Sequence, residues 1–513
     1  MFNNNLLMGA AAATSGTSVV SVENSALFKS ASSQYLSRTP GSNGNNKIGT
    51  FSTWFYHMPT GVDQTLFGAT AGAADIFQLY IDGNDDIILY NYSSGYDWQY
   101  VTDMKFRDSG WIHFCCGIDT SDTTSTNRVI LEINGVRVTD FSTANAPSLN
   151  FANDFNTASN PMRVASYDGS NNFGNNYMAE SVWIDGTRYS ASNFGQFDSS
   201  GLYWTPKSSD NIKALTFGTN GFYLDNTTNA QTDASGEGNN FTNNNTVTTN
   251  PHTPTNMYGL LNTLSLTATY PGTISGGNLT FSGNASGYWS SGIYATLPCE
   301  GKFYWEAKAT SLYGTNAYLA LGVAPMDLSR IGGGSGVSPG GTSGVAGGSL
   351  FFNGGSTTNL WSNGLSQNDN IYSSLTISTN DVMQVAFDAS NGKLWYGKND
   401  TWYNSGDPAN GTNPSSTLTA TDKYWMPWFG SYTANSTWVV NFGASSFAET
   451  KPSGFDILNT TNLASAITRT ASDTNKYFQT VLYEGNGANQ RIGNFQPFTD
   501  SFTVSKGALF PAT

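Results

Sequence analysis

Charged side chains are scarce in this sequence, and so are the residues that favour helices. Lys, Arg, Asp and Glu make up 11% of the 513 residues, whereas roughly a quarter is usual in soluble domains. Only eight glutamates occur, and long stretches of Leu, Ala, Glu and Lys are absent, so the strong helix formers are missing. Gly, Asn, Ser and Thr take their place, and 14% aromatic residues argue against disorder. The composition therefore predicts an all-β protein.

Basic residues are few as well. The 22 lysines and arginines are outnumbered by 36 acidic residues, which gives a formal net charge of −14. Binding to nucleic acid or to an anionic membrane needs clustered basic side chains, and no basic run is visible, so neither partner is expected. No stretch approaches the roughly 18–20 apolar residues of a membrane span. The N-terminal segment lacks the positive region of a secretory signal, so we expect a soluble protein without membrane insertion.

Cysteine and histidine are nearly absent. The three cysteines are too few for a disulfide framework. Cys115 and Cys116 are neighbours in an apolar run, where a strand would point them to opposite faces, and we expect buried free thiols. None of His57, His113 and His252 has the spacing of a metal ligand set. The sequence therefore predicts no cofactor and no metal ion.

The length of the chain predicts more than one hydrophobic core, because single cores stop growing beyond roughly 250–300 residues. The expected fold class is all-β, with two antiparallel β-sandwich (jelly-roll) domains. Changes in composition and the runs of strand signals along the chain divide it into an N-terminal arm at 1–22, a β-sandwich at 23–205, an Asn- and Thr-rich connector at 206–262, a second β-sandwich at 263–456 and a C-terminal strand extension at 457–513.

The first sandwich is predicted from short apolar and aromatic strands separated by Gly and Asn turns, a pattern typical of this architecture. The candidate strands include 111–118 and 128–133, the second of which turns at Asn134 and Gly135. Their order resembles that of a laminin-G or concanavalin-like jelly roll over residues 24–205. The segments that carry this resemblance are SQYLSRTP, FSTWFYH, FQLYIDGNDDIIL, GWIHFCCGID, RVILEINGVRV and MAESVWIDG.

The second sandwich is predicted around the segment 382–403, where two apolar strands flank the turn residues Asn391 and Gly392. Such a hairpin needs further strands to be stable in water, and a first strand is predicted at 264–268. Five segments in order resemble a SPRY (B30.2) domain: GKFYWEAK, YLALGVA, VMQVAFDASNGKLWYGKND, WMPWFG and VVNFGASSFAETKPSGF. A Gly- and Ser-rich insertion at 331–350 lies where that family has variable loops. The resemblance implies protein binding through loops and leaves the ligand open.

The connector and the C-terminal extension resemble parts of marine bacteriophage structural and tail-fibre proteins. The connector segments are LTFGTNGFYLD, DASGEGNNFTNNN and HTPTNMYGLLNTLS, and YFQTVLYEGNGANQRIGNFQPF resembles the opening of a further module. The resemblance implies a virion protein assembled in the host cytoplasm, with other virion proteins as partners through the arm and the C-terminal strands. These strands are predicted at 477–483 and 500–504 and cannot form a core alone. A homo-oligomer, with a trimer as the candidate state, is therefore expected.

The sequence offers no convincing catalytic motif. Concanavalin-like folds include glycosidases, which need paired carboxylates, but Glu300 with Glu306, and Glu132 alone, do not have the required spacing. The three scattered histidines do not suggest a catalytic triad, and the Gly-rich stretch after Ile331 lacks the lysine of a phosphate loop. The acidic segment 82–86 could supply oxygen ligands to calcium, although a plain hairpin turn is favoured. No catalytic residue is assigned.

Two groups of aromatic residues lie in polar, loop-like sequence and are the candidate ligand-binding residues. Flat rings beside Asn and Asp can stack on sugar rings while amides and carboxylates bind hydroxyl groups. The alternative is that the rings pack in the core or in a subunit interface. The candidates are Tyr92, Tyr96, Trp98 and Tyr100 in the first sandwich, and Trp402 and Tyr403 in the second.

The expected function is non-enzymatic. The resemblance implies a phage tail fibre or adhesin that binds a glycan or a protein on the host surface, where repeated weak sites would add up to firm attachment. The alternative is an architectural virion protein, such as a capsid decoration or a tail subunit, whose aromatic residues face neighbouring subunits. A glycan-degrading enzyme would need a carboxylate pair assembled from distant segments.

Overall fold

The computed structural model describes residues 20–463 except for the gaps given below, together with 490–492 and 502–504. Almost all regular structure in these residues is β-strand, so the prediction of an all-β protein is confirmed. None of the described helices has the length and apolar character needed to cross a membrane. The gaps are 71, 73, 108–109, 159, 199–200, 202, 267–270, 284–290, 314–317, 326–346, 354–356, 363–364, 368–374, 420–424 and 432–435.

The first sandwich is built from strands β1 to β18 and one short helix, α1. In chain order these are β1 (Ser25–Phe28), β2 (Tyr35–Arg38), β3 (Ile48–His57), β4 (Gln64–Thr70), β5 (Asp75–Ile81), β6 (Asp86–Ser93), β7 (Tyr96–Lys105), β8 (Trp111–Asp119), β9 (Val129–Ile133), β10 (Val136–Arg137), β11 (Phe141–Asn145), β12 (Met162–Val164), β13 (Asn176–Asp185), β14 (Gly195–Phe197), β15 (Trp204–Pro206), α1 (Ser209–Lys213), β16 (Phe222–Leu224), β17 (Thr242–Asn244) and β18 (Thr248–Asn250).

Most of these strands form two stacked antiparallel sheets, and β14 and β15 pair separately as a two-stranded sheet. The back sheet has the order β10–β9–β8–β3–β13–β1–β18, with β16 also paired to β13, and the front sheet has the order β11–β7–β6–β5–β4–β12–β2–β17. Phe67 of the front sheet stacks on Phe51 of the back sheet, with ring centroids 4.5 Å apart, and contacts Trp183 at 5.3 Å. This aromatic seam (Phe51, Phe67 and Trp183) lies within the buried core between the sheets.

The adjacent cysteines lie on opposite faces of β8, as predicted. Cys116 packs in the core between the sheets, whereas Cys115 packs with Trp54 and Tyr177 in a cluster on the outer face of the back sheet. Both thiols, like that of Cys299, are free and buried. Burial raises the pKa of all three thiols, which keeps them protonated and poorly nucleophilic at neutral pH.

The outer face of the back sheet is covered by the segment expected as a connector. Residues 206–262 contribute α1 and strands β16, β17 and β18, which pair with β13, β2 and β1 respectively. Ile212, Phe217, Met257 and Leu260 pack into the outer cluster. Most of the segment is thus part of the first sandwich, because an apolar sheet face must be covered by another element. Its end joins the second sandwich, where Leu261 pairs with Ala295 and packs in the core.

The second sandwich is built from strands β19 to β33, and β34 and β35 form a separate two-stranded sheet. The strands are β19 (Thr273–Ser275), β20 (Thr280–Ser282), β21 (Ser291–Tyr294), β22 (Lys302–Ser311), β23 (Tyr318–Pro325), β24 (Gly348–Asn353), β25 (Thr357–Ser362), β26 (Leu365–Gln367), β27 (Val382–Asp388), β28 (Lys393–Lys398), β29 (Thr401–Trp402), β30 (Ser416–Thr417), β31 (Trp425–Ser431), β32 (Thr437–Asn441), β33 (Asp456–Ile457), β34 (Gln490–Ile492) and β35 (Phe502–Val504). Short 3-10 turns lie at Ser30–Ser32, Ser125–Asn127, Ala191–Asn193, Thr263–Ser265 and Tyr403–Ser405.

The second sandwich also has two stacked sheets. One has the order β19–β20–β32–β22–β27–β28–β29, with β30 on β28 and β33 on β22, and the other has the order β21–β31–β23–β24–β25–β26. The hairpin predicted within 382–403 is confirmed as β27 and β28. Gly392 in its turn has a φ of +65°, a conformation that glycine adopts without steric cost. Trp305, Phe387 and Phe429 lie in the core between the sheets.

Two predicted elements of the second sandwich differ in the structure. Instead of a strand at 264–268, Thr263–Ser265 form a 3-10 turn, because the Asn262 side chain accepts a hydrogen bond from the Leu264 N–H; 267 and 268 lie outside the described residues. The end of the insertion predicted at 331–350 belongs to β24, since its backbone pairs with β23.

The two ends of the chain are described only in part. Of the arm predicted at 1–22, the described residues are 20–22, and Val22 is buried, with its N–H donating to the Thr255 hydroxyl at 2.9 Å. The strand predicted at 477–483 lies outside the described residues. Part of the strand predicted at 500–504 is present as β35, which pairs with β34.

Hydrogen bonds tie the two sandwiches together. Met257 donates its N–H to the Thr460 hydroxyl at 3.0 Å and accepts the Thr460 N–H at 2.8 Å. The Tyr177 hydroxyl of β13 donates to the Gly277 carbonyl, between β19 and β20, at 2.8 Å. These contacts are buried, so the domains meet through a specific interface.

A β-bulge in β13 buries the side chain of Glu180. The register of β13 against β3 shifts between Ala179 and Val182, and Glu180 has a φ of +52°. Its carboxyl group accepts a hydrogen bond from the Tyr223 hydroxyl. Burial raises the pKa of Glu180 to about 8, so the carboxyl group is largely protonated at neutral pH.

Replacing this carboxyl group by an amide, Glu180→Gln, should flatten the pH dependence of stability. Unfolded glutamate titrates near 4.5 and folded Glu180 near 8, so the parent protein loses stability as the pH rises between these values. The variant should match the parent at pH 4 and be more stable by about 5 kcal/mol at pH 9. Urea denaturation across this range measures the difference. The exposed control Glu237→Gln should follow the parent, and a Glu180→Gln curve parallel to the parent would contradict the protonated state.

Candidate functional site

Four of the six candidate residues lie on two neighbouring strands of the front sheet. Tyr92 is in β6, and Tyr96, Trp98 and Tyr100 are in β7. The loop expected over 92–100 is limited to a tight turn between the strands, because the backbone on both sides pairs across the hairpin. The residues are therefore held on a sheet, where strand alternation decides which face each ring occupies.

A β-bulge sends Tyr96 and Trp98 to opposite faces of the front sheet. Asn91 pairs with Trp98, but the next residue of β6, Tyr92, pairs with Tyr96, so that Asp97 is an extra residue in β7. Strict alternation would place Tyr96 and Trp98 on the same face, and the extra residue changes this. As a result Trp98 is fully buried, whereas Tyr96 is 57% exposed.

Tyr92 and Tyr96 belong to a group of four tyrosines on the outer face of the front sheet, the tyrosine strip (Tyr80, Tyr90, Tyr92 and Tyr96). Neighbouring rings contact one another edge to face. The ring centroids of Tyr80 and Tyr90 are 6.0 Å apart, those of Tyr90 and Tyr96 are 5.3 Å apart, and those of Tyr92 and Tyr96 are 5.6 Å apart. Each such contact contributes about 0.5–1.5 kcal/mol, and together they restrict the orientations of the rings.

A buried amide supports the strip. The Tyr90 hydroxyl donates to Gln78 Oε1 at 2.6 Å, and Gln78 Nε2 donates to the Thr65 hydroxyl at 2.7 Å. Burial raises the pKa of Tyr80 and Tyr90, and the carboxylate of Asp63 adds to both shifts. These phenols therefore stay neutral well above physiological pH.

Trp98 and Tyr100 are core residues. Trp98 packs against Phe77 and donates a hydrogen bond from Nε1 to Asn153 Oδ1 at 2.9 Å. Tyr100 is 7% exposed and lies edge to face against Phe141 at 5.2 Å. Both rings are enclosed by the protein, so the packing alternative describes them better than ligand contact.

The second candidate group lies on the nine-stranded sheet of the second sandwich. Trp402 ends β29, and its ring contacts that of Tyr304 with centroids 6.4 Å apart. Tyr403 is 9% exposed and begins a 3-10 turn. The ring of Phe447 covers Tyr304 from the other direction at 4.7 Å. Trp402 and Tyr403 therefore pack within the second sandwich and are separate from the tyrosine strip in the first.

The acidic turn at 82–86 uses its carboxylates within the protein. The Asp82 carboxylate accepts hydrogen bonds from the N–H groups of Asn84 and Asp86, and the Asp86 carboxylate pairs with Lys105. Across the described ranges, no three His, Cys, Asp or Glu side chains are grouped to hold a metal ion. The observed geometry is that of a hairpin turn.

One buried pair has the composition of a nucleophile and a base. Ser52 Oγ lies 2.9 Å from His113 Nε2, and Trp204 Nε1 donates to His113 Nδ1 at 3.0 Å. The neutral ring therefore carries its hydrogen on Nε2 and donates it to Ser52. Burial lowers the pKa of His113 to about 3. Since Nε2 is a donor here, it cannot accept the serine proton, and the pair lacks the arrangement of an activated nucleophile.

Two of the glutamates considered for glycoside hydrolysis, Glu306 and Glu132, hold backbone segments in place. Glu306 is buried and accepts hydrogen bonds from the N–H groups of Ala448 and Glu449, both at 2.8 Å. Glu132, in the other sandwich, accepts the Ala191 N–H at 2.7 Å. These contacts support structural roles for both carboxylates.

Sequence reasoning missed Tyr80, Tyr90 and Gln78. The signal was strand alternation: in β5 and β6 the apolar residues Phe77 and Leu89 face the core, which places Gln78, Tyr80 and Tyr90 on the outer face. Counting outward positions on both strands together would have revealed the strip.

Comparisons with known proteins show a general likeness to β-sandwich structures. No protein-family model matches the chain, and no curated protein matches it. Solved structures with some similarity include a candidate carbohydrate-binding protein from Bacteroides ovatus, with 12% identity, a TM-score of 0.29 and coverage of 44% of this chain; the chain spans 59% of that protein's length.

The similar structures also include the two kinds of domain that the sequence motifs resemble. The SPRY domain of human HERC1 has 17% identity, a TM-score of 0.21 and coverage of 33% of this chain and 91% of that one. Domains LG4-5 of the mouse laminin alpha1 chain have 8% identity, a TM-score of 0.28 and coverage of 85% of this chain and 93% of that one. At these TM-scores the likeness says nothing about ligand or function.

Replacing Trp98 and Tyr96 one at a time tests whether the bulge places their side chains on opposite faces of the front sheet. Trp98→Ala should destabilise the protein by about 3–5 kcal/mol, because it leaves a cavity and removes the hydrogen bond from Trp98 Nε1 to Asn153 Oδ1. Tyr96→Ala should cost about 1 kcal/mol, because it removes only edge contacts on the solvent side. Guanidinium denaturation followed by circular dichroism measures both, with the exposed Tyr313→Ala as the control. Equal losses at Trp98 and Tyr96 would contradict the assignment of opposite faces.

Proposed function

We propose that the chain is a non-enzymatic bacteriophage virion protein, a tail fibre or adhesin, whose tyrosine strip contacts a glycan on the host surface. The observation that carries this proposal is the strip itself, an aromatic surface on the outer face of a sheet with Tyr96 57% exposed. Tyrosine combines an apolar ring with a hydroxyl group, the two features that contact with a sugar requires. The phage origin is supported by the connector and C-terminal segments described above.

The strip is organised before a ligand arrives. Its rings support one another edge to face, and the hydroxyl of Tyr90 is held by the buried amide of Gln78. A surface that is already ordered loses little conformational entropy on binding, which favours affinity. This distinguishes the strip from a set of aromatic residues on a flexible loop.

The proposed assembly is a homo-oligomer, with a trimer as the candidate state. Segments 1–22 and 457–513 would connect it to other virion proteins. Several strips on one particle would convert weak binding into stable attachment. The same strip could instead meet a host surface protein, or lie against a neighbouring subunit in the architectural alternative.

The proposal of a binding role without catalysis is supported by the buried polar groups. Ser52 faces a histidine nitrogen that donates a hydrogen bond to it, and Glu306 is occupied by backbone N–H groups. Ser52 lies in the back sheet and Glu306 in the second sandwich, whereas the tyrosine strip is on the front sheet. Neither group is therefore placed to act on a ligand at the strip.

The double variant Tyr92→Ala/Tyr96→Ala tests this function. Both side chains lie on the outer face, so the variant should keep its circular dichroism spectrum and fold. Saturable binding of the fluorescently labelled protein to a panel of intact marine bacteria, measured by flow cytometry, should weaken by about tenfold or more. Tyr313→Ala, which removes a tyrosine of similar exposure (52%) from the second sandwich, should bind like the parent.

Two other outcomes would overturn the proposal. Cell binding that is equal in the parent and the double variant would exclude the strip as the contact surface. Failure of the parent to bind any cells, together with self-association that the double variant loses, would support the architectural alternative. Analytical ultracentrifugation measures that self-association.

A further inference from the structure

We propose that the tyrosine strip selects uncharged glycans and rejects acidic ones, because carboxylates flank both of its ends. This inference rests on the function proposed above and specifies its ligand class. It concerns the charges around Tyr80 at one end of the strip and around Tyr92 and Tyr96 at the other.

At the first end, two carboxylates lie near Tyr80. Asp63 accepts a hydrogen bond from the Gly83 N–H at 3.2 Å, which places its carboxylate at the turn that contains Asp82. Both Asp63 and Asp82 are close enough to add to the effect of burial on the pKa of the Tyr80 phenol. A ligand that extends beyond Tyr80 in this direction would meet negative charge.

The cations near this turn are engaged by other carboxylates. Lys105 pairs with Asp86, and Arg107 Nε lies 3.8 Å from Asp85 Oδ2. These pairs neutralise Asp85 and Asp86 and leave the charges of Asp63 and Asp82 without a described cationic partner. The net charge around Tyr80 at this end of the strip is therefore negative.

At the second end, two aspartates accept hydrogen bonds from the buried amide of Asn91, at the edge of the core beside Tyr92 and Tyr96. Asn91 Nδ2 donates to Asp97 Oδ2 at 3.1 Å and to Asp154 Oδ2 at 2.7 Å, and Asp97 precedes Trp98 in the bulge that turns Tyr96 outward. Burial raises the pKa of Asp154 to about 6, and the charges of Asp75 and Asp97 contribute to that rise. Among the described ion pairs none involves Asp75, Asp97 or Asp154, so their carboxylates add negative charge beside this end of the strip.

The arrangement has a direct consequence for ligand choice. Two like charges about 8 Å apart repel each other appreciably at low salt and less at physiological salt, where the screening length is about 8 Å. A sugar carboxylate or sulfate on the strip would lie near aspartates at both ends, whereas a neutral sugar carries no charge for them to repel. The net charge of −14 adds a longer-range repulsion in the same direction.

Matched neutral and acidic polymers provide the test. The probes are dextran, laminarin, mannan and hydroxyethyl cellulose, each compared with a carboxymethylated form of the same backbone. In affinity gel electrophoresis the parent protein should be retarded by at least one neutral polymer and about tenfold less by its carboxymethylated partner at low salt. Added sodium chloride should narrow this difference without changing the binding of the neutral polymer.

Charge-neutralising variants identify the residues responsible. Asp63→Asn/Asp97→Asn keeps the size and the acceptor oxygen of each side chain, and should strengthen binding of the carboxymethylated polymer while leaving the neutral polymer unchanged. Asp210→Asn, on the short helix α1, is the matched control and should leave both affinities unchanged.

The outcomes separate this inference from the proposed function. Equal or tighter binding of the carboxymethylated partner, or no response to Asp63→Asn/Asp97→Asn, would overturn the charge selection and leave an adhesin with a different ligand. Strip-dependent binding to cells without binding to any polymer would overturn the inference in favour of a protein receptor. Absence of binding to both cells and polymers would overturn the proposed function and this inference with it.

Discussion

The stacking of Phe67 on Phe51 and its contact with Trp183 hold the two sheets of the first sandwich face to face. Because side chains alternate along a strand, fixing this inner face also decides which residues remain on the outer face. Tyr80 and Tyr90 are outward for this reason. The tyrosine strip is therefore a consequence of the core, and its stiffness comes from strands that are anchored by buried aromatic rings on their other side.

A chain with so few charged residues builds its turns and interfaces from amides and hydroxyl groups. Asn134, Asn226 and Asn399 have φ values of +48°, +57° and +49°, a conformation that asparagine tolerates better than most residues. The same chemistry joins the sandwiches, where the Tyr177 hydroxyl bonds the Gly277 carbonyl. Charged side chains occupy few positions in this chain, so the aspartates at the ends of the strip account for most of the net charge around it.

Much of the fold could be predicted from local pattern, and the remainder depended on pairing partners. The β27–β28 hairpin and the opposite orientations of Cys115 and Cys116 follow from turn chemistry and strand alternation. Strand β17, Thr242–Asn244, has no apolar alternation and exists because β2 offers it a free edge. Asp97 is invisible as a bulge in the sequence, since only the register against β6 shows that it is an extra residue. For this reason the sequence analysis grouped Tyr92, Tyr96, Trp98 and Tyr100 as one candidate site, although they lie on both faces of the front sheet.

Hydroxyl-radical footprinting of the folded protein tests the central claim, that the bulge presents Tyr96 to solvent while Trp98 is enclosed. Both residues lie in one short segment, so mass spectrometry of the same peptide reports on both. The structure predicts rapid oxidation of Tyr96 and protection of Trp98, and equal oxidation of the two after denaturation serves as the reference state. Oxidation of Trp98 as fast as that of Tyr96 in the folded protein would contradict the division of faces on which the tyrosine strip depends.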